Sequence, residues 1–225
     1  MKSRAWFISE YKFISHALGR ILLVFGLSGI VLANDTENNH TPKNGALALT
    51  VDEPFLINPF VNPETYASVL KDYRTQFYRV TGFEFSGLHW NLFVAIYVSK
   101  DADIYRQNYF EYVRAYLEND EDEDEVEPNF GTFSVGTVFL KENFSSSEGK
   151  PGVPVFLTGM IKREPGYDPE GRDWEYFQSD KDGAIILQGS SKNPEVQSMC
   201  IECHSNMDDR DYIFSTYYSE RASYD

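Results

Sequence analysis

Cysteine is almost absent from this sequence: there are two, three positions apart, at Cys200 and Cys203. They leave room for one disulfide or one thioredoxin-like Cys-x-x-Cys pair. No second Cys/His pair stands at metal-ligand spacing, so zinc is poorly supported. Basic residues are also scarce, 20 against 35 acidic ones, for a net charge of -15. That surface disfavours nucleic acid and anionic membranes, and it steers basic partners inward. Long apolar runs are missing too. Residues 21–33 (ILLVFGLSGIVLA) form an apolar stretch well short of the roughly 20 residues that span a bilayer. No internal repeat is present.

That stretch follows a positively charged start and ends at small Ala33 before polar Asn34, Asp35 and Thr36. The pattern predicts a signal peptide over 1–33, cleaved after Ala33, and a periplasmic or secreted protein. Without the leader the chain keeps 16 basic and 34 acidic residues. No Cys at the cleavage point supports a lipid anchor, so no membrane contact is expected after cleavage. Residues 34–53 read as a polar tether, and 54–225 as one folded domain, for the following reasons.

Aromatic residues make up 16% of the chain, a bias towards β-structure. Residues 90–98 (WNLFVAIYV) predict a strand, as do 135–142, 153–162, 173–178, 184–187 and a last one at 212–217. Between them, 145–152 reads as a flexible turn, 164–171 as a turn-rich loop, and Asp182-Gly183 as a hairpin. A short helix is expected from Asn62 onward, with Tyr66, Val69, Leu70 and Tyr73 on one side. Ile104, Tyr105, Tyr109, Tyr112, Val113 and Tyr116 predict a second helix over 103–117. The acidic run 118–127 reads as a solvated loop. A third short helix near 195–200 leads into the cysteines. The expected class is α+β: a predominantly antiparallel β-sheet with a few helices, packed around the group that the cysteine motif specifies.

The haem follows from Cys200-Ile201-Glu202-Cys203-His204. Each thiol can add across one haem vinyl group, and the two-residue gap matches the vinyl spacing. His204, directly after the second cysteine, then supplies the proximal nitrogen to iron. One haem c per chain is expected. The far side of the iron decides the chemistry. After export the other histidines are His40, in the tether, and His89. Met160 is the best-placed sulfur, because Met199 and Met207 sit too close to the attachment motif. His89 and Met160 are each more readily explained structurally, so an open or water-bound sixth position is expected.

The order of motifs from about residue 77 to 218 resembles the cytochrome P-460 family, which includes cytochrome c-prime-beta. It rests on Gly136-Thr137-Val138-Phe139-Leu140-Lys141-Glu142, on Lys162-Arg163-Glu164-Pro165-Gly166-Tyr167-Asp168 followed by Asp173-Trp174-Glu175-Tyr176, and on Asp182-Gly183. The late Cys-x-x-Cys-His with Asp211-Tyr212-Ile213-Phe214 completes it. The resemblance implies a sheet-based mono-haem fold, often a homodimer. In hydroxylamine-oxidising members a lysine at the position of Lys141 bonds through its side-chain nitrogen to a meso carbon of the haem. Those members also place a carboxylate over the iron. Asp208, Asp209 and Asp211 lie near enough in sequence, and Asp208 is the candidate base.

Three readings remain. An enzyme would oxidise hydroxylamine or a related small nitrogen compound and pass electrons to a soluble, basic redox partner. A five-coordinate haem walled by Phe139, Phe156, Trp174 and Tyr176 would bind nitric oxide. A six-coordinate haem with His89 or Met160 would transfer electrons.

Overall fold

A computed structural model describes residues 58–118 and 126–219. The expected leader, the tether and most of the acidic run lie outside the described residues. The strands are β1 (Tyr78–Arg79), β2 (Glu84–Ser86), β3 (Leu92–Val98), β4 (Val138–Ser147), β5 (Lys150–Lys162), β6 (Trp174–Asp180) and β7 (Ile185–Gly189). They form one sheet in the order β1-β3-β4-β5-β6-β7, with β2 also paired to β3. Every pairing is antiparallel. The α+β class predicted from the aromatic strands is therefore the observed one.

The β4–β5 hairpin runs further than its Ser- and Gly-rich sequence predicts. Ser147 pairs with Lys150, and the connection is only Glu148 and Gly149, both at positive φ (51° and 74°). Two consecutive left-handed residues match the twist of the strands they join. The expected flexible turn over 145–152 is mostly ordered sheet.

Strand alternation divides the core into two layers. One face carries Phe139, Met160, Tyr176 and Leu187, which pack with Tyr105, Phe133, Val196 and Ile201. The opposite face carries Leu140, Leu157 and Phe177, covered by Phe60, Tyr66, Leu70 and Tyr73. The segment supplying those last residues is not the single helix expected. It is a 3-10 turn at Glu64–Tyr66 and one α-turn at Tyr73–Gln76. Asp72, at φ 51°, separates them, and Val69 points to solvent.

Helix α1 spans Ala102–Glu118, within a residue of the prediction at either end. Its buried residues are Tyr105 and Asn108, while Tyr116 is exposed. Asn108 bonds Gly131 twice, donating to its carbonyl at 3.0 Å and accepting from its N–H at 2.7 Å. This clamps the strand-like lead-in to β4 against the helix. Among the described residues no helix is long and apolar enough to cross a membrane.

Asp101, just before α1, sits in the left-handed region at φ 61°. It accepts from Ser134 N–H (2.8 Å), Ser134 Oγ (2.6 Å) and Thr137 Oγ1 (2.6 Å). Burial pushes its carboxyl up, but these bonds outweigh burial and hold it below its ordinary value. A lowered folded pKa gives stability that is present above the unfolded value of about 3.9 and lost as pH falls through the folded one. Asp101→Asn keeps a residue that tolerates positive φ and removes the charge. Its acid unfolding, followed by circular dichroism, should fall off less steeply below about pH 4 than that of the wild type. An identical acid limb would refute the linkage.

Candidate haem-binding site

The attachment motif lies in a helical run over 194–210. Asn193 opens it, accepting from Glu195 N–H at 3.0 Å, and Pro194 takes the first helical position. The run is not a plain α-helix. Gln197–Ile201 is a π-turn, which passes into α-helix at Glu202–His204 and 3-10 helix at Ser205–Arg210. A π-turn brings residues five apart onto one side. Val196 and Ile201 are so spaced, and both are buried in the core. Anchored there, the run exposes Cys203, half-buries Cys200 and His204, and lays all three along one cleft.

The two cysteines form no disulfide with each other. Burial pushes the Cys200 thiol up to about 11. A redox-active pair needs the opposite, a depressed value that exposes a thiolate. Burial of Cys200 therefore counts against a thioredoxin-like role for that thiol.

His204 donates from Nδ1 to the Tyr212 carbonyl at 2.8 Å, leaving its other nitrogen as a lone-pair donor. Metal-bound imidazoles are held in this way. Burial also holds the ring neutral, down to about 4. The carbonyl is fixed in turn. Tyr212 and Asp211 are both left-handed (φ 65° and 56°). Asp211 accepts from Lys162 Nζ at 2.6 Å and from Phe133 N–H at 3.0 Å. The Trp174 indole N–H donates to the Asp211 carbonyl at 2.9 Å. Asp211 is thus the anchor of the loop that orients His204, not a group over the iron. The three left-handed residues Asp211, Tyr212 and Ser215 also prevent the strand predicted at 212–217, and the segment is irregular.

The cleft encloses about 1300 Å³ of empty space, its open mouth included. Lys141, Phe139, Met160 and Tyr176 form part of its wall, and Ser86 to Trp90 close one side. Phe139 and Lys141 lie on the same side of β4, as alternation predicts. Phe156 and Trp174, expected as pocket walls, do not line it; Trp174 is core. Asp208 is exposed, is absent from the cleft wall, and offers its backbone carbonyl to Arg172. Asp209 is exposed too. Among the described residues, no Asp or Glu lines the cleft. The expected carboxylate base is therefore not provided by these residues.

The Lys141 amine makes no hydrogen bond or ion pair among the described residues, and burial pushes it down to about 7. Two hydroxyls on the wall, Tyr176 Oη and Ser215 Oγ, are buried without a hydrogen-bond partner among the described residues. Buried polar groups are rarely left so. Two thiols and an imidazole on one helical run, an apolar cleft, and unpaired hydroxyls inside it fit a covalently held haem. His89, which sequence reasoning gave a structural role, lines the same cleft. The Tyr212 carbonyl and Ser86 also went unrecognised, since a backbone group and a lone serine leave no signal in sequence.

No curated protein matches the chain. The cytochrome P460 family pattern matches residues 89–215, more than half of the sequence. That span starts at His89, contains Lys141 and the attachment motif, and ends with the loop that orients His204. The chain belongs to the cytochrome P460 family, and is a haem cytochrome.

Proposed function

We propose that this cytochrome carries one haem c, bonded through Cys200 and Cys203 with His204 on the iron, and oxidises hydroxylamine or a related small nitrogen compound. The observation that carries the reading is Lys141, an unpaired amine in the wall of the cleft that also holds the attachment motif. The haem would supply one-electron redox chemistry. The chain's own part is to hold it, to keep the cleft apolar, and to take protons. No carboxylate stands among the described lining residues, so protons would pass to solvent through the open mouth of the cleft or to His89 when its ring is free. Electrons would leave to a soluble acceptor, and the acidic surface favours a basic one. The signal-like leader supports export to a periplasmic or secreted location.

The protein, made in a host that attaches haem c, should keep its haem through acid-acetone precipitation. It should show a ferrous Soret band shifted far to the red, and should consume hydroxylamine with a soluble acceptor. Complete extraction of the haem would end the attachment reading. Retained haem with an ordinary spectrum and no turnover would leave nitric-oxide binding or electron transfer. One observation favours electron transfer as the second reading, the position of His89.

A further inference from the structure

We infer that His89 is the second axial ligand of the iron in the resting protein. The inference rests on the haem reading but not on hydroxylamine oxidation.

His89 and His204 are far apart in the chain, yet their ring centres are 6.4 Å apart with planes at 61°. A bound metal stands about 2.0 Å from an imidazole nitrogen. A five-membered ring with bonds of about 1.35 Å has its atoms about 1.15 Å from its centre. Two imidazoles facing one metal therefore have centres about 6.3 Å apart. The observed spacing is that distance. It is also the longest of the ring contacts made by His204, whose packing partners Phe214 and Tyr176 stand at 5.3 and 5.7 Å.

Each ring is held through Nδ1. The His204 Nδ1 is bonded to the Tyr212 carbonyl, and the His89 Nδ1 stands 3.1 Å from Ser86 Oγ. Neither ring makes another hydrogen bond among the described residues; the Tyr212 carbonyl can only accept, which frees His204 Nε2, and His89 Nε2 is free in the tautomer whose Nδ1–H donates to Ser86 Oγ. An oriented imidazole with one nitrogen occupied and one available is the arrangement metals select.

The backbone is shaped to deliver His89. It sits in the five-residue loop between β2 and β3, closed where Ser86 pairs with Leu92. The next two residues, Trp90 and Asn91, are both left-handed (φ 57° and 58°). That conformation is uncommon for a bulky aromatic. Met160, the competing candidate, also lines the cleft, but at 7% exposure it belongs to the core cluster of Trp174 and Tyr176, and no spacing to His204 like that of His89 singles it out.

A six-coordinate resting iron has a consequence for small ligands. Hydroxylamine, azide or nitric oxide must displace His89 first. Apparent affinity is then reduced by the fraction of protein in which His89 is away.

The experiment uses the haem-loaded protein in its ferric form. Electron paramagnetic resonance should show a low-spin signal in the wild type and in Met160→Ala. His89→Ala should be high-spin, should return to low-spin with added imidazole, and should bind azide at least about tenfold more tightly than the wild type. Three outcomes would overturn the inference: a high-spin wild type, a low-spin signal that survives in His89→Ala, or one lost in Met160→Ala instead. Each of these leaves covalent attachment intact. A protein with no haem bound after acid-acetone would overturn the attachment reading along with the inference.

Discussion

Lys141→Arg is expected to abolish hydroxylamine turnover, by at least about a hundredfold, or about 2.7 kcal/mol of transition-state stabilisation. The expectation starts from strand geometry. Successive side chains alternate across a sheet, and Phe139 and Lys141 both reach the cleft. An ammonium beside an apolar cofactor face is costly while charged. Bonding the nitrogen to a meso carbon of the haem removes that charge, so burial and cross-link support each other. The bond replaces one N–H and one C–H, and a two-electron oxidant such as a peroxide must accept the electrons and protons. A cross-linked wild type would therefore weigh two hydrogens less than chain plus haem. A guanidinium stays protonated and cannot form the bond. The arginine variant should regain both hydrogens, return the Soret band to an ordinary position, and keep its haem on Cys200 and Cys203. A wild type that already weighs the full sum of its chain and haem, with a spectrum the substitution leaves unchanged, would sink the enzymatic reading.

Arg74→Ala should lower the unfolding free energy by about 3 kcal/mol, the lower end of the cost of orphaning a buried charge. Glu142 follows Lys141 and therefore faces away from the cleft, fully buried. Its carboxylate accepts from Arg74 Nε at 2.6 Å, from Tyr73 Oη at 2.5 Å and from Tyr97 Oη at 3.4 Å. These bonds fasten the 58–77 segment over the sheet. The two hydroxyls remain in the variant, which is why the cost is not greater. With a urea slope of about 2 kcal/mol per molar, the midpoint should fall by about 1.5 M. Adding Glu142→Gln to Arg74→Ala should restore much of the loss, because the orphaned charge is gone. A midpoint change below about 0.3 M in the single variant would show that the pair contributes little.

These two adjacent residues show how far a sequence carries. Alternation assigns Lys141 and Glu142 to opposite faces whatever the fold around them. It does not say that one face meets a cleft and the other a buried arginine. That depends on which segments cover the sheet, and the covering segment here lacks the single helix its apolar spacing predicts. The left-handed Asp72 breaks it in a way no periodicity registers.

The sequence by itself determined what local covalent chemistry and short periods determine. Cys200, Cys203 and His204 are neighbours along the chain, so their joint chemistry needs no folding to be read. Strand β3, helix α1 and the antiparallel class follow from runs of apolar residues at period 2 or 3.6. Tertiary structure alone decided the roles that depend on distant residues. It placed Asp208 in solvent and made Asp211 the anchor of a loop, though the two are three positions apart. It turned the predicted last strand into an irregular segment, because left-handed residues spend their backbone groups on local turns. It set His89 opposite His204, through the register of β2 on β3 and the loop between them. Such pairings are fixed by the burial of a whole sheet, and no single residue pattern encodes them.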